Sequence, residues 1–178
     1  LEELSRVSQA MVDWQPPDDE SSIGTILYHI AAIETDWLYE EVLEASFPPE
    51  VEALFPDDIR DSLGNLTQIR GMSLQDHLKR LETVRGWLLD AFRQMVAKNP
   101  RGFLGRYGLG NKILQEGGNL EVAVEHLHVA VQLDPLHVAS HLALGRALAA
   151  LGRNEEAKPV LTAGIDAAAS GRSSGGAD

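Results

Sequence analysis

Apolar side chains recur every three or four residues through most of the chain, which predicts helices almost throughout. In LEELSRVSQAMVDWQ, the positions Leu4, Val7, Met11 and Trp14 share one side of a helix that Pro16 and Pro17 end. The polar run DDESS then offers an N-cap, and SIGTILYHIAAIETDWLYEE comes next. At about 100° per residue, Ile23, Ile26, Leu27, Ile30, Ile33 and Trp37 make one continuous stripe, expected to face a core. Glu34 projects into the same sector, either paired inside a bundle or tipped out at its edge. Residues 45–72 lack sustained periodicity and carry Pro48, Pro49, Pro56, Gly64 and Gly71, so they read as a long connection. A third helix starts at Ser73, whose spacing to Asp76 is that of a capping box, and presents Leu74, Leu78, Leu81, Leu88, Phe92 and Met95 along one side.

The second half repeats itself. Gly118 recurs as Gly152, Glu121 as Glu155, Ala123 as Ala157, Leu127 as Leu161 and Ala130 as Gly164, each 34 residues apart. RYGLGNKILQ and SHLALGRALA read as first helices, in which Gly110 and Gly145 permit close approach. LEVAVEHLHVAVQLDP and NEEAKPVLTAGIDAA read as second helices. The leucine-glycine pair recurs at 35 rather than 34, which places one extra residue near Gly117-Gly118. Pro159 falls inside the last helix and predicts a kinked first turn or a later start. SGRSSGGAD reads as a disordered tail.

These patterns carry two resemblances. DWQPPDDESSIGTILYHIAAIETDWLYEEVL, with the third helix after it, resembles the first three helices of a DinB-like four-helix-bundle protein. The repeats, over about 101–169, resemble tetratricopeptide units. The fold expected is all-α: a partial DinB-like bundle over 1–97, a junction at 98–100, two repeat units over 101–169 and a tail over 170–178. In the DinB-like family the histidine of the second helix is the first of three metal ligands, and an H-x-x-x-H pair in a later helix supplies the others. The resemblance therefore marks His29 as a metal ligand position, although no such later helix follows Phe92 to Val96. It implies, as the alternative function, a metal-dependent transferase or hydrolase that uses a divalent metal such as zinc or nickel.

Composition sharpens the division. Residues 1–97 hold 19 acidic and 7 basic side chains, while 98–178 hold 8 of each, and eight of the ten aromatics lie in the first part. The net charge of −12 argues against nucleic acid, whose phosphates it would repel. With no cysteine there is no disulfide framework, thiolate nucleophile or Cys-type zinc site. No apolar run is long enough to span a bilayer and no basic and apolar leader follows Leu1, so a cytoplasmic protein is expected.

Candidate chemistry is sparse. His29 lies at the margin of the apolar stripe, about 140° around the helix from Glu34, so the two do not easily share an ion. His77 lies beside Leu74 and Leu81 and reads as a packed or capping residue. His137 and His141 have the spacing of a helical metal pair, yet fall where the repeat itself explains them. His126 and His128, two apart, point in different directions. GLGNK lacks the length and the Lys-Ser/Thr ending of a phosphate loop. Tyr107, Asn111 and Arg146 are expected on the concave surface of the repeats, where they would meet a protein or peptide partner. The function expected is protein binding or assembly without a cofactor, in a chain that also self-associates because a bundle short of one helix leaves apolar surface uncovered.

Overall fold

The computed structural model describes residues 4–17 and 21–173. Its elements are α1 (Gln9–Val12), α2 (Ile23–Asp36), a π-helical segment (Trp37–Val42), α3 (Pro49–Glu52), α4 (Leu74–Lys98), α5 (Phe103–Gln115), α6 (Leu120–Leu133), α7 (Val138–Ala150) and α8 (Asn154–Ser173). An isolated bridge between Arg60 and Leu66 is the sole β-pairing among the described residues. The chain divides into two compact units, 1–88 and 89–178, so the division falls inside α4.

In the first unit the N-terminal segment differs from its periodicity. A 3-10 turn at Leu4–Arg6 is followed by the single turn of α1, whose N-cap is Ser8. Val12 is fully buried, while Leu4, Met11 and Trp14 are exposed. The break lets the chain fasten to the segment before α4: Gln9 donates to the Met72 carbonyl at 2.8 Å, and the Asp13 carboxylate accepts from the Gly71 N–H at 3.1 Å.

Helix α2 starts as expected, with the Ser22 hydroxyl accepting from the Thr25 N–H at 3.1 Å. Its orientation is the reverse of the expectation. The buried side consists of Gly24, Thr25, Tyr28, His29, Ala31, Ala32 and Thr35. The stripe of Ile23, Ile26, Ile30, Ile33 and Trp37 lies at the surface, with Ile33 62% exposed. The reason is steric. A β-carbon on Gly24 would stand 3.0 Å from the His77 ring and 3.1 Å from Val12, so α2 sits too close to its neighbours for branched side chains on that side. Ala31, Leu81 and Val84 form the core there, with Leu27, Leu54, Phe55 and Trp87 packed around it. Glu34 is tipped to the edge, where it accepts from Arg85 Nη2 at 3.0 Å and Nε at 3.1 Å. The capping box before α4 is present, Ser73 and Asp76 exchanging hydrogen bonds of 2.7 and 3.2 Å.

The second unit keeps to the repeat. Ala123, Leu127, Ala143, Leu144, Ala147, Leu148 and Ala157 make a continuous core. A β-carbon on Gly110 would meet Leu127 at 2.7 Å, and one on Gly145 would meet Leu161 at 2.4 Å, the same glycine-on-leucine contact in both repeats. The first helix of each repeat ends on a glycine with positive φ, Gly117 at 67° and Gly152 at 75°. The next N–H, from Gly118 and Arg153 respectively, reaches back to Ile113 and Leu148 at 2.9 Å each. Gly118 then stands between that glycine and the Asn119 N-cap, whereas α8 begins directly after Arg153. Gly118 is therefore the extra residue that separates the 35-residue from the 34-residue spacing.

Pro159 lies inside α8 without interrupting it, and α8 continues to Ser173, so the rest of the expected tail, 174–178, lies outside the described residues. The end of α4, within the second unit, packs on α5: a β-carbon on Gly108 would lie 2.3 Å from the buried Phe92 ring and one on Gly105 would lie 3.0 Å from Met95.

Gly108 and the exposed Gly86 of α4 respond oppositely to substitution. Gly108→Ala should lower stability by about 1–3 kcal/mol, because the ring must leave its place. Gly86→Ala, with nothing within 4 Å, should raise it by about 0.5–1 kcal/mol by relieving the conformational cost of glycine in a helix. Urea unfolding midpoints of the two variants check both signs.

Candidate functional site

The first unit has a hydrogen-bonded polar interior built along the buried side of α2. Thr25, fully buried, accepts from the Ile69 N–H at 2.9 Å and donates to Gln68 at 3.2 Å, which pins residues 67–69 to the helix. His29 joins the same segment, its Nε2 donating to the Thr67 carbonyl at 3.2 Å. A carbonyl only accepts, so Nε2 carries the proton and Nδ1 keeps the lone pair. Nδ1 is sealed from solvent and has no partner among the described residues.

On the other side of Gly24 lies His77. Arg80 Nη1 points at its Nδ1 from 3.4 Å, which leaves the buried Nε2–H without an acceptor. Arg80 is itself only 6% exposed. Its Nε donates to the Leu54 carbonyl at 3.0 Å, and its guanidinium lies 4.8 Å from the centre of the Tyr28 ring and 5.8 Å from that of Phe55. No carboxylate approaches Arg80 within ion-pair distance among the described residues, so aromatic faces and a carbonyl hold this cation. Tyr28 donates to the Asp57 carbonyl at 2.7 Å and accepts from its N–H at 3.0 Å. Burial raises the Tyr28 pKa. It lowers that of Arg80, and burial followed by the Arg80 charge lowers that of His77.

Beside this interior a cleft of about 450 Å³ opens among Ala32, Thr35, Phe47, Val51, Phe55 and Ile59. Asp36, Glu52, Asp57 and Asp58 line it against a single arginine, Arg60, so its field favours cations. The Asp36 carboxyl is held above the ordinary carboxylate range by burial and then by Glu40. Asp36 also meets the π-helical segment, whose Leu43 N–H reaches back five residues to Leu38 at 2.9 Å. Periodicity does not disclose this cleft, because 45–72 reads as a connection. The available signal is FPPEVEALFPDD, two aromatics held between prolines and acids.

In the second unit His137 is the N-cap of α7, its Nδ1 accepting from the Ser140 N–H at 3.2 Å. Its ring meets Phe103 and Tyr107 edge-on at 4.9 and 4.7 Å. His141 turns elsewhere, with Nε2 donating to the Pro135 carbonyl at 2.9 Å and Cβ at 2.7 Å from where a β-carbon on Gly164 would be. The two rings thus serve different neighbours. Among the described residues no group of three or more histidines and carboxylates is arranged to hold a metal.

The residues expected to meet a partner recur at the repeat spacing. With the first helices aligned at 35 residues, Phe103, Tyr107 and Asn111 on α5 correspond to Val138, Leu142 and Arg146 on α7. Val138 and Leu142 are 42% and 53% exposed, and Arg146 is exposed as well. Tyr107 stacks on Phe103, ring centres 5.9 Å apart and planes within 4°.

The buried His77 makes stability depend on pH with a definite sign. Its folded pKa lies below the ordinary value of about 6.5, so the unfolded chain takes up the proton first. Its contribution is complete above that value and is lost as pH falls toward the folded pKa. Thermal unfolding between pH 7.5 and 5 should show a falling midpoint, with a shallower slope in His77→Phe, which keeps a ring and removes the titration.

No helix among the described residues is long and apolar enough to cross a membrane. No curated protein matches the chain. The tetratricopeptide repeat model matches residues 114–172. The DinB superfamily model matches residues 1–132, a span that contains His29, His77, His126 and His128 and stops short of His137 and His141. With the polar-centred bundle at one end and the repeats at the other, the chain belongs to the DinB superfamily and continues into tetratricopeptide repeats.

Proposed function

We propose that this chain is a protein-binding adaptor, in which the repeats take up a peptide segment of a partner and the DinB-like unit serves as a folded platform without a complete metal site. One observation carries the reading: α5 and α7 present matching positions, Phe103, Tyr107 and Asn111 beside Val138, Leu142 and Arg146. Asn111 and Arg146 make no hydrogen bond or ion pair among the described residues. Aromatic and aliphatic positions at one end and a free amide and guanidinium at the other suit an extended peptide with an apolar anchor and an acidic or carbonyl group beyond it. Rigid repeat helices hold these groups in place before binding, which lowers the entropic cost of association.

The second reading is a DinB-type metal-dependent transferase or hydrolase, favoured by the free lone pair on His29 Nδ1. In this reading His29 is one metal ligand, coordinating through the Nδ1 lone pair.

Selection from a random-peptide display library against the full chain tests the adaptor. Enriched peptides should lose tenfold or more in affinity in Tyr107→Ala and Leu142→Glu. Arg146→Glu should weaken mainly those carrying an acid. Enriched peptides indifferent to all three variants would remove the repeat face as the binding surface. Zinc and nickel titrations of the wild type and of His29→Ala separate the readings: the adaptor expects no stoichiometric metal in either, and stoichiometric binding lost in His29→Ala favours the enzyme.

A further inference from the structure

The cleft beside the polar interior combines apolar walls with carboxylates that its own chain leaves unpaired. Ala32, Thr35 and Val51 are buried where they line it, and Phe47, Phe55 and Ile59 add apolar surface. The Thr35 hydroxyl is spent on the Ala31 carbonyl at 2.8 Å, so the buried part of the lining makes no polar demand. Asp36 stands on the α2 wall; Glu52, Asp57 and Asp58 stand on the other. None of these four carboxylates accepts a hydrogen bond or forms an ion pair among the described residues. Asp57 engages Tyr28 through its backbone alone. The one base of the lining, Arg60, donates to the Gly64 carbonyl of its own loop at 2.7 Å.

We propose that this cleft binds an aliphatic polyamine, its methylene chain against Phe47, Phe55 and Val51 and its ammonium groups on Asp36 and the acids of 52–58. Four carboxylates against one guanidinium leave an excess of three negative charges, the valence of spermidine. The acids do not gather in threes round a common point, as the ligands of a metal ion must. Carboxylates set apart along an apolar wall instead match a cation whose charges are themselves set apart by methylene groups. A cation with one charge would leave most of the excess uncompensated.

The walls favour the same ligand. Aromatic faces attract ammonium groups and also cover a hydrocarbon chain, so Phe47 and Phe55 serve either part of it. The volume of about 450 Å³ falls within the range of small-molecule sites. Burial and the Glu40 charge hold the Asp36 carboxyl above its ordinary range. An ammonium group beside it supplies the opposite charge that the fold withholds.

The chain carries a net charge of −12, so the test must separate a site from diffuse attraction. Calorimetric titration of the full chain with spermidine in about 0.15 M salt, which screens surface charge, is expected to saturate at one per chain with a Kd of about 1–100 μM. Asp36→Asn should weaken binding tenfold or more and Phe47→Ala severalfold. Phe47 is at the surface, its ring meeting only the edge of Tyr39 among the described aromatics, so the fold should tolerate its loss. Asp58→Asn, also exposed, gives a second charge variant with the same expected direction. Glu82→Gln, an exposed acid of α4 outside the cleft, should change nothing. Hexylamine, with a similar chain and one ammonium, should bind at least tenfold more weakly than spermidine, and magnesium at equal ionic strength should not displace it. Spermidine should also raise the thermal midpoint of the wild type more than that of Asp36→Asn. Absence of saturation up to about 1 mM overturns the proposal. So does binding that Glu82→Gln weakens as much as Asp36→Asn and Asp58→Asn do, the mark of diffuse attraction, or hexylamine bound as tightly as spermidine.

Discussion

A β-carbon placed on Gly108 would lie 2.3 Å from the Phe92 ring, on Gly145 2.4 Å from Leu161, on Gly110 2.7 Å from Leu127 and on Gly24 3.0 Å from His77. Each of these glycines is a point where one element rests directly on the backbone of another. The packing around them depends on that closeness. In the repeats it lets a large side chain fill each crossing, so Leu127 and Leu161 rest directly on Gly110 and Gly145. In the first unit it decides which side of α2 turns inward, because only Gly, Ala, Thr and a flat ring fit against the chain on that side. Hydrophobicity alone would have turned the isoleucines in; available space turned them out.

Close approach also separates the features a sequence discloses from those it conceals. The repeat boundaries, the Ser73–Asp76 box and the extra residue at Gly118 are local or periodic features, encoded in spacing that a chain shows without being folded. The orientation of α2 is not of that kind. Its isoleucine stripe carries the stronger periodic signal, and the competing side is recognised by small residue size, which hydrophobic periodicity does not weigh. Likewise Leu4, Val7, Met11 and Trp14 keep helical spacing, yet Ser8 caps a new turn between them and Val12 becomes the buried residue. The cleft is illegible for a third reason: its walls come from α2 and from residues 47–60, and only the fold brings these together.

The histidines illustrate how little a residue type says before its neighbours are known. His29 spends one nitrogen on fastening Thr67, His137 spends one on starting α7, and His141 spends one on Pro135. Each thereby has a tautomer and a ring orientation fixed by a structural bond. Arg80 makes the same point with charge: it lies inside the unit between two aromatic faces, in a setting where an ion pair would be the usual expectation.

The π-helical segment after Asp36 acts as a change of phase in the chain. A turn closed over five residues holds one more than an α-helical turn, and each added residue rotates the downstream chain by about 100°. Leu38, three residues after Thr35, continues the buried side of α2, while Glu40 and Glu41 stay at the surface. In the history of a gene this is the footprint expected of a single inserted codon: a helix that absorbs the extra residue locally keeps the contacts on either side of it. The segment 37–42 is thus a place where the length of this chain can drift by one residue at small cost to its surroundings.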